Sequence, residues 1–153
     1  MEIKGIIVEN ITQAQVAGYL KENGIKPSLI RVKVMKYLMD HRNHPTADEI
    51  YKRLLEEIPT LSRTSVYNAL NGFVKKSIVN ELTIEEKYSR YDALTDTHAH
   101  FKCRKCGSVY DITQESKNCG SSELEGFCVE EKHIYLKGKC ASCVKKGGNN
   151  GKT

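Results

Sequence analysis

No stretch of this chain stays apolar for the roughly 18–20 residues that a membrane-crossing helix needs. The opening MEIKGIIVEN has a glutamate where an export signal would carry basic residues, and no long apolar run follows it. The expectation is a cytoplasmic protein with no membrane partner. Beyond two short Cys-x-x-Cys elements there is no internal repeat, and no acid–base pair or pocket motif marks an enzyme. The 153 residues suffice for one domain, or for two small ones sharing little core.

Net charge is +5 with histidines neutral. Residues 1–90 carry 14 Lys or Arg against 11 Asp or Glu, and the remainder 10 against 8. The first part is therefore mildly basic. That suits a phosphate backbone, although many solvated surfaces carry as much charge.

Residues 13–23 read as a short helix ending at Gly24. Ser28 is a cap candidate for a second, with Ile30, Val34, Tyr37 and Leu38 along its apolar side. Thr46 with Glu49 three positions later predicts a capping box for a third helix, carrying Ile50, Tyr51, Leu54 and Leu55 before Pro59. Ser62 predicts a fourth cap, with Val66, Leu70, Phe73 and Val74 on one face and Gly72 interrupting them. Ile78–Ile84 and Lys87–Leu94, separated by Glu85-Glu86, predict an antiparallel hairpin.

Helices followed by a hairpin is the order of a winged helix, which places one helix in the DNA major groove. The reader would be the helix near 62–76. Its N-terminal half offers Ser62, Arg63, Thr64, Ser65, Tyr67 and Asn68, groups able to hold phosphates or read base edges. The competing reading is that Ser62 only caps and Arg63 only solubilises an exposed turn.

From Thr97 the texture changes. Apolar segments around Phe101, Val109–Ile112, Phe127–Val129 and Ile134–Leu136 predict strands of a small sheet, with a short helix over 113–125. The expected fold class is α+β: a winged-helix DNA-binding domain over 1–92, a small α/β domain over 97–146 and a tail over 147–153.

Four of the six cysteines form Cys103-x2-Cys106 and Cys140-x2-Cys143, 33 residues apart. Two such pairs supply the four thiolates of a closed tetrahedral Zn(II) site, and their spacing argues against a secreted disulfide framework. One structural Zn(II) per chain follows, contributing a net charge of about −2 with its four thiolates. Cys119 and Cys128 fall outside the pattern, as a turn thiol and a core cysteine.

His98 and His100, two residues apart, point to one side if they lie on a strand. Asp111 can approach from the return strand, and Asp92 from the end of the wing. With His44 these residues make an imidazole–carboxylate set suited to a harder, exchangeable metal. Occupancy would fix the angle between the two domains and so couple metal to DNA affinity. Taken singly, His44 is also an ordinary capping or surface histidine, and Asp92 an ordinary solvated carboxylate.

The chain resembles the ferric uptake regulator (Fur) superfamily, most of all its peroxide-sensing PerR branch. The resemblance is carried by His44-Pro45-Thr46-Ala47-Asp48-Glu49-Ile50-Tyr51, Thr64-Ser65-Val66-Tyr67-Asn68-Ala69-Leu70, Tyr91-Asp92 and His98-Ala99-His100-Phe101-Lys102-Cys103-Arg104-Lys105-Cys106-Gly107. It continues in Asp111, Gly126-Phe127 and Gly138-Lys139-Cys140-Ala141-Ser142-Cys143.

It implies structural zinc on the four cysteines of a dimerisation domain, and one regulatory Fe(II) or Mn(II) on His44, Asp92, His98, His100 and Asp111. It further implies that peroxide oxidises His44 or His98 when iron is bound, lifting repression of a palindromic double-stranded DNA operator by a homodimer. Asp111, where the iron-sensing branch usually has glutamate, and Asn68, where it tends to have arginine, point to the peroxide branch. The alternative is a reversible iron- or manganese-responsive repressor. Thr97, Ala99, Glu131 and Lys132 stand where other branches of the family place further ligands, with His133 displaced by one or two places, which weakens the case for a third metal site.

Overall fold

The computed structural model describes residues 11–85, 87–93, 95, 98–113, 124–129 and 132–147. The chain divides into two compact units, Met1–Asp96 and Thr97–Thr153. The architecture is α+β.

The first unit contains α1 (Gln13–Glu22), α2 (Leu29–Asp40), α3 (Ala47–Leu55) and α4 (Arg63–Lys75), then β1 (Asn80–Leu82) and β2 (Arg90–Asp92). A hydroxyl opens each helix. Thr12 and Thr46 form reciprocal capping boxes with Gln15 and Glu49. Ser28 accepts from the Arg31 amide at 3.3 Å, and Ser62 from that of Ser65 at 3.1 Å. Each such bond satisfies a donor that the first helical turn would otherwise leave unpaired, worth about 1 kcal/mol.

Helix ends are fixed as specifically. Gly24 (φ 71°) closes α1 with bonds from Ile25 N to Leu20 O at 2.9 Å and from its own N to Lys21 O at 3.0 Å. Ser77 (φ 55°) ends α4 with the same pair of bonds, reaching Phe73 and Val74. The left-handed residue turns the chain out of the helix while satisfying its last carbonyls.

The core of this unit gathers Val16 and Leu20 of α1, Val34, Met35 and Leu38 of α2, Ile50 and Leu54 of α3, and Val66, Leu70 and Phe73 of α4. On α2 the inward stripe differs slightly from the expected one. Val32 and Met35 are buried, while Ile30 and Tyr37 are only partly covered. Each fully buried side chain of this kind contributes roughly 1.5–3 kcal/mol.

β1 and β2 pair antiparallel with Glu81 opposite Tyr91, a shorter hairpin than the apolar pattern predicts. A third edge joins it: Thr46 bridges Arg90, and the Tyr91 amide donates to Pro45 O at 3.0 Å. Four helices and this small sheet make a winged helix.

In the second unit β3 (Ala99–Cys103) lies between β4 (Val109–Ile112) and β5 (Ile134–Gly138), antiparallel to the former and parallel to the latter. A short helix, α5 (Ala141–Gly147), follows. Strand alternation gives the sheet two different faces. Phe101, Tyr110 and Leu136 lie in register on one; His100, Asp111 and Tyr135 lie in register on the other.

Three expectations are corrected. Phe127–Val129 forms no strand: the chain turns through Leu124–Gly126, with Gly126 at φ 84°, and leaves Phe127 71% exposed, so no buried face exists for that run to fill. Cys128, expected in a core, lies in that same run and is exposed. The helix α5 has no counterpart in the sequence pattern. The anticipated helix over 113–125 falls outside the described residues except at its ends, as do Cys119 and residues 148–153.

Replacing Phe73, which is fully buried in the first unit's core, by alanine is expected to cost about 3–5 kcal/mol of unfolding free energy in urea titration.

Candidate metal centres and the exposed face of α4

Parallel pairing brings the C-terminal ends of β3 and β5 side by side, with Cys103 opposite Gly138. The chain then turns at Cys103–Cys106, where Gly107 takes φ 78°, and at Cys140 as α5 begins. The four sulfurs fall within 4.8 Å of one another. Zn–S bonds of about 2.3 Å in a tetrahedron require sulfur separations of about 3.8 Å. Cys106 Sγ and Cys140 Sγ lie 3.8 Å apart.

Backbone amides of Cys106 and Cys140 donate to Cys103 Sγ at 3.5 and 3.3 Å. They hold that thiol down at about 6, favouring the thiolate. Cys143 is pushed up to about 12 by its hydrogen bond with Cys140 and by burial. Four sulfurs this close cannot all ionise unless a cation lies among them, and a divalent thiophilic ion is what the set fits. Phe101 packs on the cluster as its apolar cover.

On the opposite face of β3, His98 Nε2 lies 3.2 Å and His100 Nε2 3.6 Å from the same oxygen, Oδ1 of Asp111. The register explains this, because His100 and Asp111 are directly opposed across the antiparallel pair. His98, one residue before the strand, turns its ring to within 4.4 Å of that of His100. His100 is buried and Asp111 partly exposed. Two imidazole nitrogens converging on one carboxylate form a donor set for Fe(II), Mn(II) or a similar borderline-to-hard ion.

In the first unit, the Thr46–Arg90 bridge places His44 opposite Asp92, and His44 Nε2 lies 3.8 Å from Asp92 Oδ2 with both side chains buried. His44 has a left-handed backbone (φ 48°), a conformation that costs a non-glycine residue about 1 kcal/mol or more and persists only when its surroundings fix it. Arg90 supplies one such constraint. Its guanidinium donates to His44 O at 2.9 Å while pairing with Glu85 at 2.5 Å. Sequence reading missed Arg90, since nothing local to residue 90 announces a partner 46 positions away.

Along α4, Thr64, Tyr67 and Asn68 are exposed on one side of the helix. Ser62 and Ser65 are engaged with each other, their hydroxyls 2.8 Å apart, beside the capping bond. Arg63 pairs with Asp48 and lies over the Tyr51 ring, 4.4 Å from its centroid. Its side chain is thus held against α3.

Residues 22–137 match the Ferric uptake regulator family. The chain belongs to that family. Among curated Fur-family relatives, the peroxide operon regulator of Bacillus subtilis is 36% identical over 134 residues, 83% of this chain and 90% of that protein. The peroxide-responsive repressor PerR of Staphylococcus epidermidis is 33% identical, covering 84% of this chain and 87% of its own length. The solved structure of the Vibrio cholerae ferric uptake regulator is 28% identical with a TM-score of 0.67, over 81% of this chain and 98% of that one. The Fur fold and the four-cysteine site that fits structural zinc are therefore features of this chain.

Cys140→Ser is expected to abolish retention of one zinc per chain, read by elemental analysis after gel filtration, and to lower the melting temperature of the second unit.

Proposed function

We propose that this protein is a metal-dependent transcriptional repressor that senses hydrogen peroxide. The convergence of His98 and His100 on one oxygen of Asp111 carries the reading, because it is an N/O donor set beside a separate thiolate site. The relatives named for peroxide support it. His44 and Asp92 of the first unit would join His98, His100 and Asp111 of the second as ligands of one Fe(II) or Mn(II). The four cysteines would hold zinc permanently.

Bound Fe(II) supplies the reducing equivalents for peroxide cleavage, and Mn(II) does not do so readily. The chain's own residues set the consequence. Oxidation would fall on His44 and His98, each drawn from a different unit. Loss of either imidazole as a donor would remove the link between units and with it the geometry for DNA. Arg90 acts on His44 by holding its carbonyl. No helix among the described residues is long and apolar enough to cross a membrane. We place the protein in the cytoplasm with the DNA it binds.

The exposed side of α4 would read the operator through Tyr67, Asn68 and Thr64. Ser62 and Ser65 would shape the helix start and contact phosphate. Arg63 would reach DNA from its position over Tyr51. A palindromic site needs two reading helices about one DNA turn apart. The apolar sheet face with exposed Tyr110, Ile112 and Leu136 is suited to a second copy of the chain. The role is binding and regulation without turnover, since five protein donors leave little room for a substrate.

The test is operator titration of zinc-containing protein loaded anaerobically with Fe(II) or Mn(II), before and after a small molar excess of peroxide. Loss of DNA binding by the iron form alone, with one oxygen added to His44 or His98 in peptide mass spectra, is the expected result. Equal survival of both forms with clean histidines would leave a reversible iron- or manganese-responsive repressor. Arg90→Ala is expected to weaken Mn(II) binding by roughly 10-fold or more in competition titrations, the usual size of a ligand-supporting defect.

A further inference from the structure

The donor-bearing face of the second unit carries one more oxidisable group. Tyr135 of β5 is the parallel-register partner of His100, so its side chain emerges on the same face as His100 and Asp111. Its ring centroid lies 6.2 Å from that of His100 at an interplanar angle of 45°, and the His98 ring centroid lies 4.4 Å from that of His100. His133, two residues earlier on the chain, stacks with the phenol at 6.0 Å and 25°. Tyr135 is partly buried, placed next to a ligand imidazole without being one of the convergent donors.

A phenol ring is electron-rich and activated for oxygen addition beside its hydroxyl. We propose that Tyr135 is a second oxidation site of this protein, taking oxygen from peroxide in competition with the ligand histidines. The inference rests on the reading above, with Fe(II) on the His98–His100–Asp111 face. In net terms one ring C–H becomes C–OH: tyrosine and hydrogen peroxide give dihydroxyphenylalanine and water. The ring is oxidised by two electrons, the peroxide O–O bond breaks, and the displaced hydrogen leaves in the water. Since Tyr135 is not among the proposed donors, an event captured there leaves the ligand set whole. The residue would therefore set how many peroxide encounters a molecule survives before it loses a histidine.

Two other tyrosines are internal controls. Tyr67 is 48% and Tyr88 62% exposed, both in the first unit. Zinc-containing protein loaded with Fe(II), and separately with Mn(II), is treated with a small excess of peroxide, digested and mapped by tandem mass spectrometry. The expected result is iron-dependent gain of one oxygen on Tyr135 as well as on His98 or His44, with Tyr67 and Tyr88 unmodified. In Tyr135→Phe the oxygen lost from position 135 should reappear as a higher fraction of oxidised His98. Oxidised histidine with clean Tyr135, and no change at His98 in Tyr135→Phe, would overturn this inference and leave the peroxide reading standing. Oxidation of Tyr67 and Tyr88 to the same extent as Tyr135 would overturn it too, since the oxidant would then be acting from solution. Clean histidines and clean Tyr135 in the iron form would remove both.

Discussion

The parallel pairing of β3 with β5 is the constraint on which the second unit depends. Antiparallel partners such as β3 and β4 find each other across a short turn, whereas parallel ones need a long crossover and must close it against chain entropy. Here the pairing sets Cys103 beside Gly138 and so brings two Cys-x-x-Cys turns to the same end of the sheet. It also sets Tyr135 beside His100 at the other end. A thiophilic ion among the four sulfurs would fasten the strands beside an apolar cluster that, among the described residues, is Phe101 packed on Cys103, Cys140 and Cys143. Zinc and the parallel register are in this sense one device.

In the first unit the comparable device is a single bridge. Thr46 caps α3 with its side chain and joins the wing through its backbone, opposite Arg90. Two steps outward along that register stand His44 and Asp92, so the same residue that starts a helix also aligns the two donors. Arg90 reinforces the arrangement from below and is itself tied to Glu85, with Glu49 3.7 Å away. Helix capping, sheet register and donor placement share the same few atoms.

Much of this is legible from sequence, and the division is physical. The caps at Ser28, Thr46 and Ser62 and the Gly24 stop depend on residues within a few positions of one another, and all stand where the pattern predicts. The four-cysteine cluster is legible because its spacing is a chemical pattern. What eludes reading is long-range or a matter of competition. Arg90 acts across nearly a third of the chain on His44, and Arg63 has found Asp48 and Tyr51 before any DNA is present. Phe127–Val129 has the composition of a strand but its exposed side chains give it no face to bury. Apolar composition alone does not make a strand; a buried side does.

The pleat of β3 has a consequence for how this sequence can vary. His98 and His100 emerge on one face of the strand, and Cys103 ends it on the other. One residue inserted or removed between His100 and Cys103 would rotate one set of donors to the wrong side of the sheet, whereas two would keep both faces and only lengthen the strand. The segment joining the two sets is therefore a ruler graduated in pairs. Drift in its length is admissible in even steps alone.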